Sequence, residues 1–141
     1  MGKNSLSKIK LKSLNIIKLS EGNIMRILKK NELPSWTFGE AYFSKIKFGK
    51  IKAWKYHKRM SLNLVVPSGK VKFVFYSEKK NFFKTIVIGE KKYFRLTVPP
   101  KIWFGFKGMS KKESIILNLA NLPHKPKEIL RREKKEIKFN W

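Results

Sequence analysis

The 141-residue chain carries 34 Lys and Arg residues against 9 acidic residues, which gives a formal net charge of +25, and 42% of its residues are hydrophobic. With 11 Phe and 4 Trp, the chain is too rich in aromatic residues for a disordered protein, and its length predicts one packed domain over residues 1–141. The sequence has no cysteine, which excludes disulfides and thiol nucleophiles, and no apolar run reaches the roughly 20 residues that span a bilayer.

Residues 1–35 are predicted to form an N-terminal edge segment. The apolar runs 14–19 and 24–28 are compatible with edge strands that join the main sheet or a partner subunit. The N-terminal stretch lacks the uninterrupted apolar region of a signal peptide. We therefore expect a cytoplasmic protein with no membrane insertion.

Residues 36–122 alternate between apolar and polar side chains, which is typical of half-buried strands. Val71, Phe73 and Phe75 show the pattern, since they fall on one face of a predicted strand. Eight short strands are predicted, over residues 38–46, 50–57, 62–66, 70–76, 84–88, 93–98, 102–106 and 114–120. Turn residues separate them and no helix intervenes, so the pattern predicts an all-β, antiparallel jelly-roll barrel.

The segment 123–141 is predicted to form a short C-terminal helix and a docked tail. After two prolines, residues 127–136 combine Glu and Lys with the apolar pair Ile129 and Leu130, a composition that favours a helix. The aromatic end of the chain, including Trp141, indicates that the tail packs against the core.

The segment 49–69 is bounded by glycines and has the spacing of the metal-binding motif of cupins, which are jelly-roll proteins. In cupins the ligands of this first half-motif are His, His and Glu, and here those positions fall on Lys55, His57 and Leu62. The second half-motif places Phe104 at the fourth ligand position. Lys and Leu do not bind a divalent metal at neutral pH, so we expect a cupin-type barrel with no metal and no cofactor.

A more specific resemblance lies in five stretches, residues 38–44, 51–55, 62–67, 95–100 and 117–121. They are similar to a short-chain branch of the dTDP-4-dehydrorhamnose 3,5-epimerase family. Members of that family are metal-free jelly rolls, commonly dimers, that act on nucleotide-linked 4-keto-6-deoxy sugars. The resemblance implies a nucleotide-sugar site inside the barrel and a homodimer.

The catalytic positions of the family are altered in this chain. The family's base is a His at the end of an Arg-Gly-Leu-His motif, and this chain has Lys55 at that position. The Asp that holds the family's His has no counterpart, because every acidic residue here is Glu. Leu122 lies near the position of the tyrosine that serves as the family's acid. Either a rearranged set of groups performs related chemistry, or the barrel only binds.

Three residues are candidates for catalysis. His57 follows Lys55 by two residues, so both side chains fall on one face of a strand. Removal of a proton beside a ketone needs a base with a pKa near 7, which makes His57 the candidate base. Lys55 is the candidate cation beside the enolate oxygen, and Tyr42 is the candidate acid. The alternatives are a histidine at the barrel rim and an exposed lysine.

Seven further residues are candidates for substrate binding, namely Glu40, Lys52, Trp54, Asn63, Arg95, Trp103 and Asn118. Lys52 and Arg95 suit phosphate contacts, and Glu40 suits sugar hydroxyls. The two tryptophans suit stacking on a base or sugar, and core packing is their alternative. Asn63 and Asn118 lie within apolar Leu-Asn-Leu stretches, where a buried amide needs partners.

The sequence therefore favours a nucleotide-sugar epimerase that acts by proton transfer at C3, C5 or both. A sugar-nucleotide 3,4-ketoisomerase needs the same groups, and a non-catalytic sugar-nucleotide binder fits the altered positions. Nucleic-acid binding through the +25 charge is least favoured. The lysines are spread along the chain as on solvent-exposed faces, and the aromatic residues follow strand periodicity rather than an exposed stacking platform.

Overall fold

The computed structural model describes residues 5–141, which form two facing five-stranded sheets and a separate two-stranded ribbon. In chain order the strands are β1 (Lys10–Ser13), β2 (Ile16–Ile17), β3 (Ile24–Met25), β4 (Glu40–Ile46), β5 (Ile51–His57), β6 (Leu62–Ser68), β7 (Lys70–Ser77), β8 (Phe82–Gly89), β9 (Phe94–Val98), β10 (Trp103–Gly108), β11 (Ser114–Ala120) and β12 (Ile129–Arg131). The order is β1-β9-β6-β11-β4 in the first sheet and β12-β5-β10-β7-β8 in the second. The predicted all-β jelly roll is confirmed.

The main core fills the space between the two sheets. Leu64 and Leu96 of the first sheet pack there with Phe73 and Phe75 of the second, and all four are fully buried. Burial of each such side chain contributes about 1.5–3 kcal/mol. The alternation seen in the sequence thus reflects one face of each strand turned towards this core.

Every strand predicted within residues 36–122 is present, with ends within two residues of the prediction. The glycines of the cupin-like spacing lie at turns. Gly49 and Gly69 have φ of +73° and +88°, a left-handed conformation that favours glycine. These turns fix where β5 begins and β6 ends.

The N-terminal prediction needs correction. The two apolar runs form only the short ribbon of β2 and β3, which pair with each other. The strand that joins the first sheet is β1, whose residues pair with β9 from Lys10↔Thr97 to Ser13↔Phe94. All residues of β1 are exposed, so backbone hydrogen bonds hold it and no hydrophobic alternation marks it. Residues 1–4 of the predicted edge segment lie outside the described residues.

The predicted C-terminal helix is wrong. The described chain has only 3-10 turns as helical elements, and residues 127–136 contain the strand β12 between turns at Pro126–Glu128 and Lys134–Glu136. β12 pairs with β5, from Ile129↔His57 to Arg131↔Lys55. The free edge of β5 offers backbone donors and acceptors along its length, and pairing with them outweighs the weak helical preference of Glu and Lys.

The tail is docked, as predicted. A second cluster of buried residues, comprising Trp54, Val74, Trp103 and Ile137, lies apart from the main core, and Trp141 packs against it. The ring centroids of Trp54 and Trp141 are 5.2 Å apart. Among residues 5–141, no helix has the length and apolar character needed to cross a membrane.

Candidate active site

A cavity of about 380 Å³ lies where β4 ends the first sheet and β5 and β12 end the second. Its lining residues are Glu40, Tyr42, Lys55, His57, Met60, His124, Ile129 and Arg131. The structure therefore brings together all three residues predicted for catalysis, together with one of the predicted binding residues. We call this space the site cavity.

A groove of about 550 Å³ adjoins the site cavity. Lys52, Phe104 and Phe106 are among its lining residues. Lys55 and Arg131 line both spaces, so these two residues stand at the junction between the cavity and the groove.

His57 ends β5 with its side chain buried, 5% exposed, and its ring centroid lies 5.9 Å from that of Phe104. Burial lowers the pKa of His57 to about 4, and the positive charge of Lys55 adds to that effect, whereas Glu128 opposes it. The imidazole is therefore neutral at pH 7 and can accept a proton. Its Nδ1 atom has no hydrogen-bond partner among the described residues.

Glu128 fixes the turn that follows His57. Its carboxylate accepts hydrogen bonds from the backbone amides of Arg59 and Met60, the latter at 2.7 Å. Burial alone raises the pKa of Glu128, but these two amide hydrogen bonds and the charge of Arg59 give a net lowering. An ionised Glu128 thus fixes the turn that follows His57 and so helps to position His57. No feature of the sequence pattern identifies Glu128 as part of the site.

Lys55 is half-buried on the same strand, and Arg131 is its direct neighbour on β12. Burial lowers the pKa of the Lys55 ammonium, and the charges of Arg131 and Lys52 lower it further. A cation in this position can stabilise negative charge that develops on a bound substrate.

Tyr42 and Glu40 line the cavity from β4, in the sheet opposite to His57. Burial raises the pKa of the Tyr42 phenol, and the negative charge of Glu40 raises it further. Tyr42 therefore keeps its proton at neutral pH and can donate it. A Glu40 carboxylate oxygen accepts a hydrogen bond from the backbone amide of His124 at 3.1 Å.

Of the four positions of the cupin-like spacing, three lie on the paired strands β5 and β10 of the second sheet, and Leu62 lies on β6 of the first sheet. Phe104 lies directly opposite Lys55 on β10, and Leu62 packs with Phe104 in the main core. Within residues 5–141, no group of three or more His, Cys, Asp or Glu side chains is arranged to hold a metal ion. Leu62 and Phe104 place only carbon atoms at their two positions, and the other two positions hold the Lys55 ammonium and the His57 imidazole.

No protein-family model matches the sequence, and neither does any curated protein. Among solved structures, a dTDP sugar isomerase from Desulfovibrio desulfuricans superposes with a TM-score of 0.88 at 27% identity, covering 95% of this chain and 90% of that chain. A sugar 3,4-ketoisomerase from Thermoanaerobacterium thermosaccharolyticum in complex with TDP has a TM-score of 0.77 at 18% identity, covering 94% and 93%. A dTDP-4-dehydrorhamnose 3,5-epimerase from Bacillus anthracis has a TM-score of 0.80 at 15% identity, covering 100% and 88%. The fold of the chain is that of these dTDP-sugar epimerases and isomerases.

Both tryptophans predicted to stack on ligand are buried packing residues in this version of the family fold. Trp54 is 1% exposed, and its indole N–H donates to the carbonyls of Lys134 and Ile137 at 3.3 and 3.2 Å. Trp103 is 5% exposed and packs against the Tyr56 ring and the Arg132 guanidinium. Trp54 is also among the residues that line the groove, whereas Trp103 lines neither the groove nor the site cavity.

Asn63 and Arg95 do not line the site cavity. Asn63 lies between the core residues Leu62 and Leu64, and Arg95 lies between Phe94 and Leu96, so both side chains point out of the barrel. Arg95 is buried under the N-terminal segment, where it donates to the Ile27 carbonyl at 2.8 Å and lies 3.5 Å from Glu32. The Asn63 side-chain oxygen accepts a hydrogen bond from the Thr97 hydroxyl. These polar groups anchor strands and the N-terminal segment.

Asn118 and Lys52 have positions closer to the site. The Asn118 amide donates to the Tyr42 carbonyl at 3.3 Å and to the Ser44 hydroxyl at 3.0 Å, so it supports the strand that carries Tyr42. Lys52 lines the adjoining groove, and its ammonium donates to the Lys45 carbonyl at 2.9 Å.

Sequence reasoning did not select Arg131 or His124, which both line the site cavity. Arg131 reaches the site only because residues 129–131 form a strand beside β5, and that pairing has no local sequence signal. The one available signal for His124 was its rarity, since the chain has 2 His.

Proposed function

We propose that the protein is a nucleotide-sugar epimerase that acts on a nucleoside-diphosphate 4-keto-6-deoxy sugar by proton transfer at C3, C5 or both. The observation that carries the proposal is the convergence of His57, Lys55 and Tyr42 on one cavity. His57 is neutral at pH 7 and can accept a proton, with a pKa of about 4 that lies below the value near 7 expected of the base, and Tyr42 keeps a proton that it can donate. Similar known structures include a dTDP sugar isomerase and a dTDP-4-dehydrorhamnose 3,5-epimerase.

The reaction proceeds in two balanced proton transfers. Neutral His57 takes the proton from the carbon beside the C4 ketone, and the electron pair of the C–H bond moves onto the ketone oxygen as an enolate. The Lys55 ammonium stabilises that oxygen. Tyr42 then gives its proton to the opposite face of the same carbon, which inverts the stereocentre, and solvent exchange returns both groups to their initial states.

The placement of base and acid on opposite sheets favours epimerisation. A substrate bound between β4 and β5 presents one face of its ring to Tyr42 and the other to His57. Inversion needs this two-sided arrangement, whereas simple exchange needs only the base. A 3,4-ketoisomerase would use His57 in the same way and carry the proton from C3 to C4, and a ketoisomerase is among the similar folds.

The test is deuterium incorporation from heavy water. The purified protein, incubated with dTDP-4-keto-6-deoxyglucose in D₂O, is expected to introduce deuterium at C3 or C5, detected by mass spectrometry. His57→Asn is expected to lower the rate by roughly 100-fold or more, the scale of a general base. His124→Asn is the matched control, since it changes the other cavity histidine and is expected to have a much smaller effect.

The outcomes separate the candidate functions. Label at the inverted carbon supports the epimerase, and a 3-keto product supports the ketoisomerase. Saturable binding of the sugar nucleotide without any exchange would leave a non-catalytic sugar-nucleotide binder. Full activity in the His57 variant would reject the assignment of the base.

We further propose that the protein acts as a homodimer in the cytoplasm. Support for self-association comes from two exposed aromatic residues at the edge of the first sheet. Phe38 and Phe43 are 71% and 67% exposed, and Phe43 lies on β4, the edge strand beside β11. Exposed aromatic residues on a sheet edge favour association with a second surface.

A further inference from the structure

Two positive charges face each other at the junction of the site cavity and the groove. Arg131 and Lys55 are direct partners across the β12–β5 pair, and like charges in opposing positions destabilise a pair of strands. Neither side chain forms a hydrogen bond or an ion pair with another of the residues 5–141 in this structure. The junction therefore lacks a counter-charge.

The nearby carboxylates do not supply that counter-charge. In the groove, the Glu133 carboxylate forms an ion pair with Lys135 at 3.3 Å, and the Glu136 carboxylate accepts a hydrogen bond from the backbone amide of Glu133. In the cavity, Glu40 accepts the amide of His124 from the opposite wall. The positive charges of Lys55 and Arg131 can therefore be balanced only by an anion from outside the protein.

The position of Arg131 is built into the fold. The residue next to it, Arg132, exchanges two backbone hydrogen bonds with Trp54, at 2.9 and 3.2 Å. The indole N–H of Trp54 donates to the carbonyls of Lys134 and Ile137, and these hydrogen bonds fix the segment that follows Arg132. On the other side of Arg131, the Glu128 carbonyl accepts a hydrogen bond from the backbone amide of Lys58 at 3.0 Å. The C-terminal segment is thus held on both sides of Arg131, whose guanidinium lies at the junction.

We propose that Arg131 binds the diphosphate of the nucleotide-sugar substrate, while Lys55, its neighbour on β5, contacts the enolate oxygen. The inference rests on the proposed function and adds the C-terminal strand as a substrate-binding element. A diphosphate joins a sugar to a nucleoside, and the two cations join the cavity that holds His57 to the larger groove. The sugar ring then lies beside His57 and Tyr42, and the nucleoside lies in the groove. A guanidinium presents paired N–H groups that match phosphate oxygens.

The proposal is tested by calorimetric titration of the full chain with dTDP, inorganic pyrophosphate and thymidine at 0.15 M salt. Arg131→Leu is expected to weaken dTDP and pyrophosphate binding at least 10-fold and to leave thymidine binding unchanged, because thymidine has no phosphate. Arg131→Lys is expected to restore part of the affinity, since it keeps the charge without the paired donors. Lys127→Met is the matched control, because it removes a charge from an exposed position of the same segment.

Thermal unfolding without ligand shows whether each variant keeps its fold. Wild-type affinity of Arg131→Leu for dTDP and pyrophosphate would overturn the inference, as would failure of the wild type to bind either. If binding depends on Arg131 but no 4-keto sugar exchanges deuterium, the proposed function fails and the inference stands. If the wild type catalyses exchange and Arg131→Leu has an unchanged KM, the inference fails and the proposed function stands.

Discussion

Tyr42 and His57 line the same cavity from different sheets, Tyr42 on β4 and His57 on β5. This relationship predicts that the two halves of an epimerisation can be separated by mutation. Tyr42→Phe removes the proton donor and leaves the base, so His57 can still remove a proton and return a deuteron to the same face. We expect deuterium exchange to persist while inverted product falls by roughly 100-fold or more. Product stereochemistry by NMR, measured beside exchange, checks this.

Tyr56→Phe is the matched control, since the Tyr56 ring packs on Trp103 and does not line the cavity. It should keep both activities. Equal loss of exchange and inversion in Tyr42→Phe would contradict a role for Tyr42 in the second proton transfer alone.

The protonation of His57 gives a second prediction. Burial and the neighbouring Lys55 lower its pKa to about 4, from an ordinary value of 6.5. The ring should therefore remain neutral from pH 8 to about pH 5, and the acid limb of kcat/KM that reports His57 should lie near pH 4. Titration of the imidazole signals by NMR measures the same quantity directly.

Lys55→Met removes the second cause of the lowered pKa, so the midpoint of His57 should move up towards 6.5 in that variant. Lys58→Met, at an exposed position just beyond β5, should move it less. A wild-type midpoint at or above 6.5 would show that His57 is not buried as described.

The same shift links pH to stability. The pKa of His57 is about 4 in the folded protein and 6.5 in the unfolded chain. Between pH 6.5 and pH 4 the unfolded chain therefore binds a proton more readily than the folded protein does. Stability from this group is present above pH 6.5, is lost as the pH falls towards about 4, and does not change further below that value. The total loss should be about 3 kcal/mol at most. Urea unfolding between pH 7 and pH 4 should show it, and His57→Gln should reduce the slope.

The strands of the barrel were predictable because each of them has one face in the core. In β7 the residues Val71, Phe73 and Phe75 fall on one face, and the structure buries all three completely in the main core. β1 and β12 lack that alternation, since backbone hydrogen bonds to an existing sheet edge hold them in place. A single sequence carries no local signal for such pairing, so both strands were missed.

Only part of the site was predictable from the sequence. Lys55 and His57 share a strand face, and the alternation of residues 38–46 put Tyr42 and Glu40 on one face of the preceding strand, at positions where the epimerase family contacts substrate. Asn63 and the other predicted binding residues outside the cavity were chosen by the chemistry of their side chains. That chemistry does not indicate which face of a sheet a side chain points from. Arg131 required knowledge of the C-terminal strand, which only the tertiary structure provides.

Trp54 anchors the segment that carries β12, and this predicts a stability effect. Trp54→Phe removes the indole N–H that two carbonyls accept, at Lys134 and Ile137, and leaves a gap in a buried cluster. We expect a loss of about 2–4 kcal/mol in the free energy of unfolding. Trp103→Phe is the matched control, because Trp103 belongs to the same cluster and its indole N–H has no hydrogen bond to the described residues. Equal losses in the two variants would contradict the anchoring role of the Trp54 indole.

The exposed aromatic side chain of Phe43 predicts the oligomeric state. Tyr42 and Phe43 point to opposite faces of β4, so the face turned away from the site cavity carries a ring that is 67% exposed. Burial of that ring against a second copy favours a dimer, and Phe43→Ser should shift the protein towards a monomer in analytical ultracentrifugation. Phe82→Ser is the matched control, since Phe82 is 54% exposed on β8, the edge strand of the other sheet. A wild-type protein that sediments as a monomer at tens of micromolar would contradict the proposed homodimer.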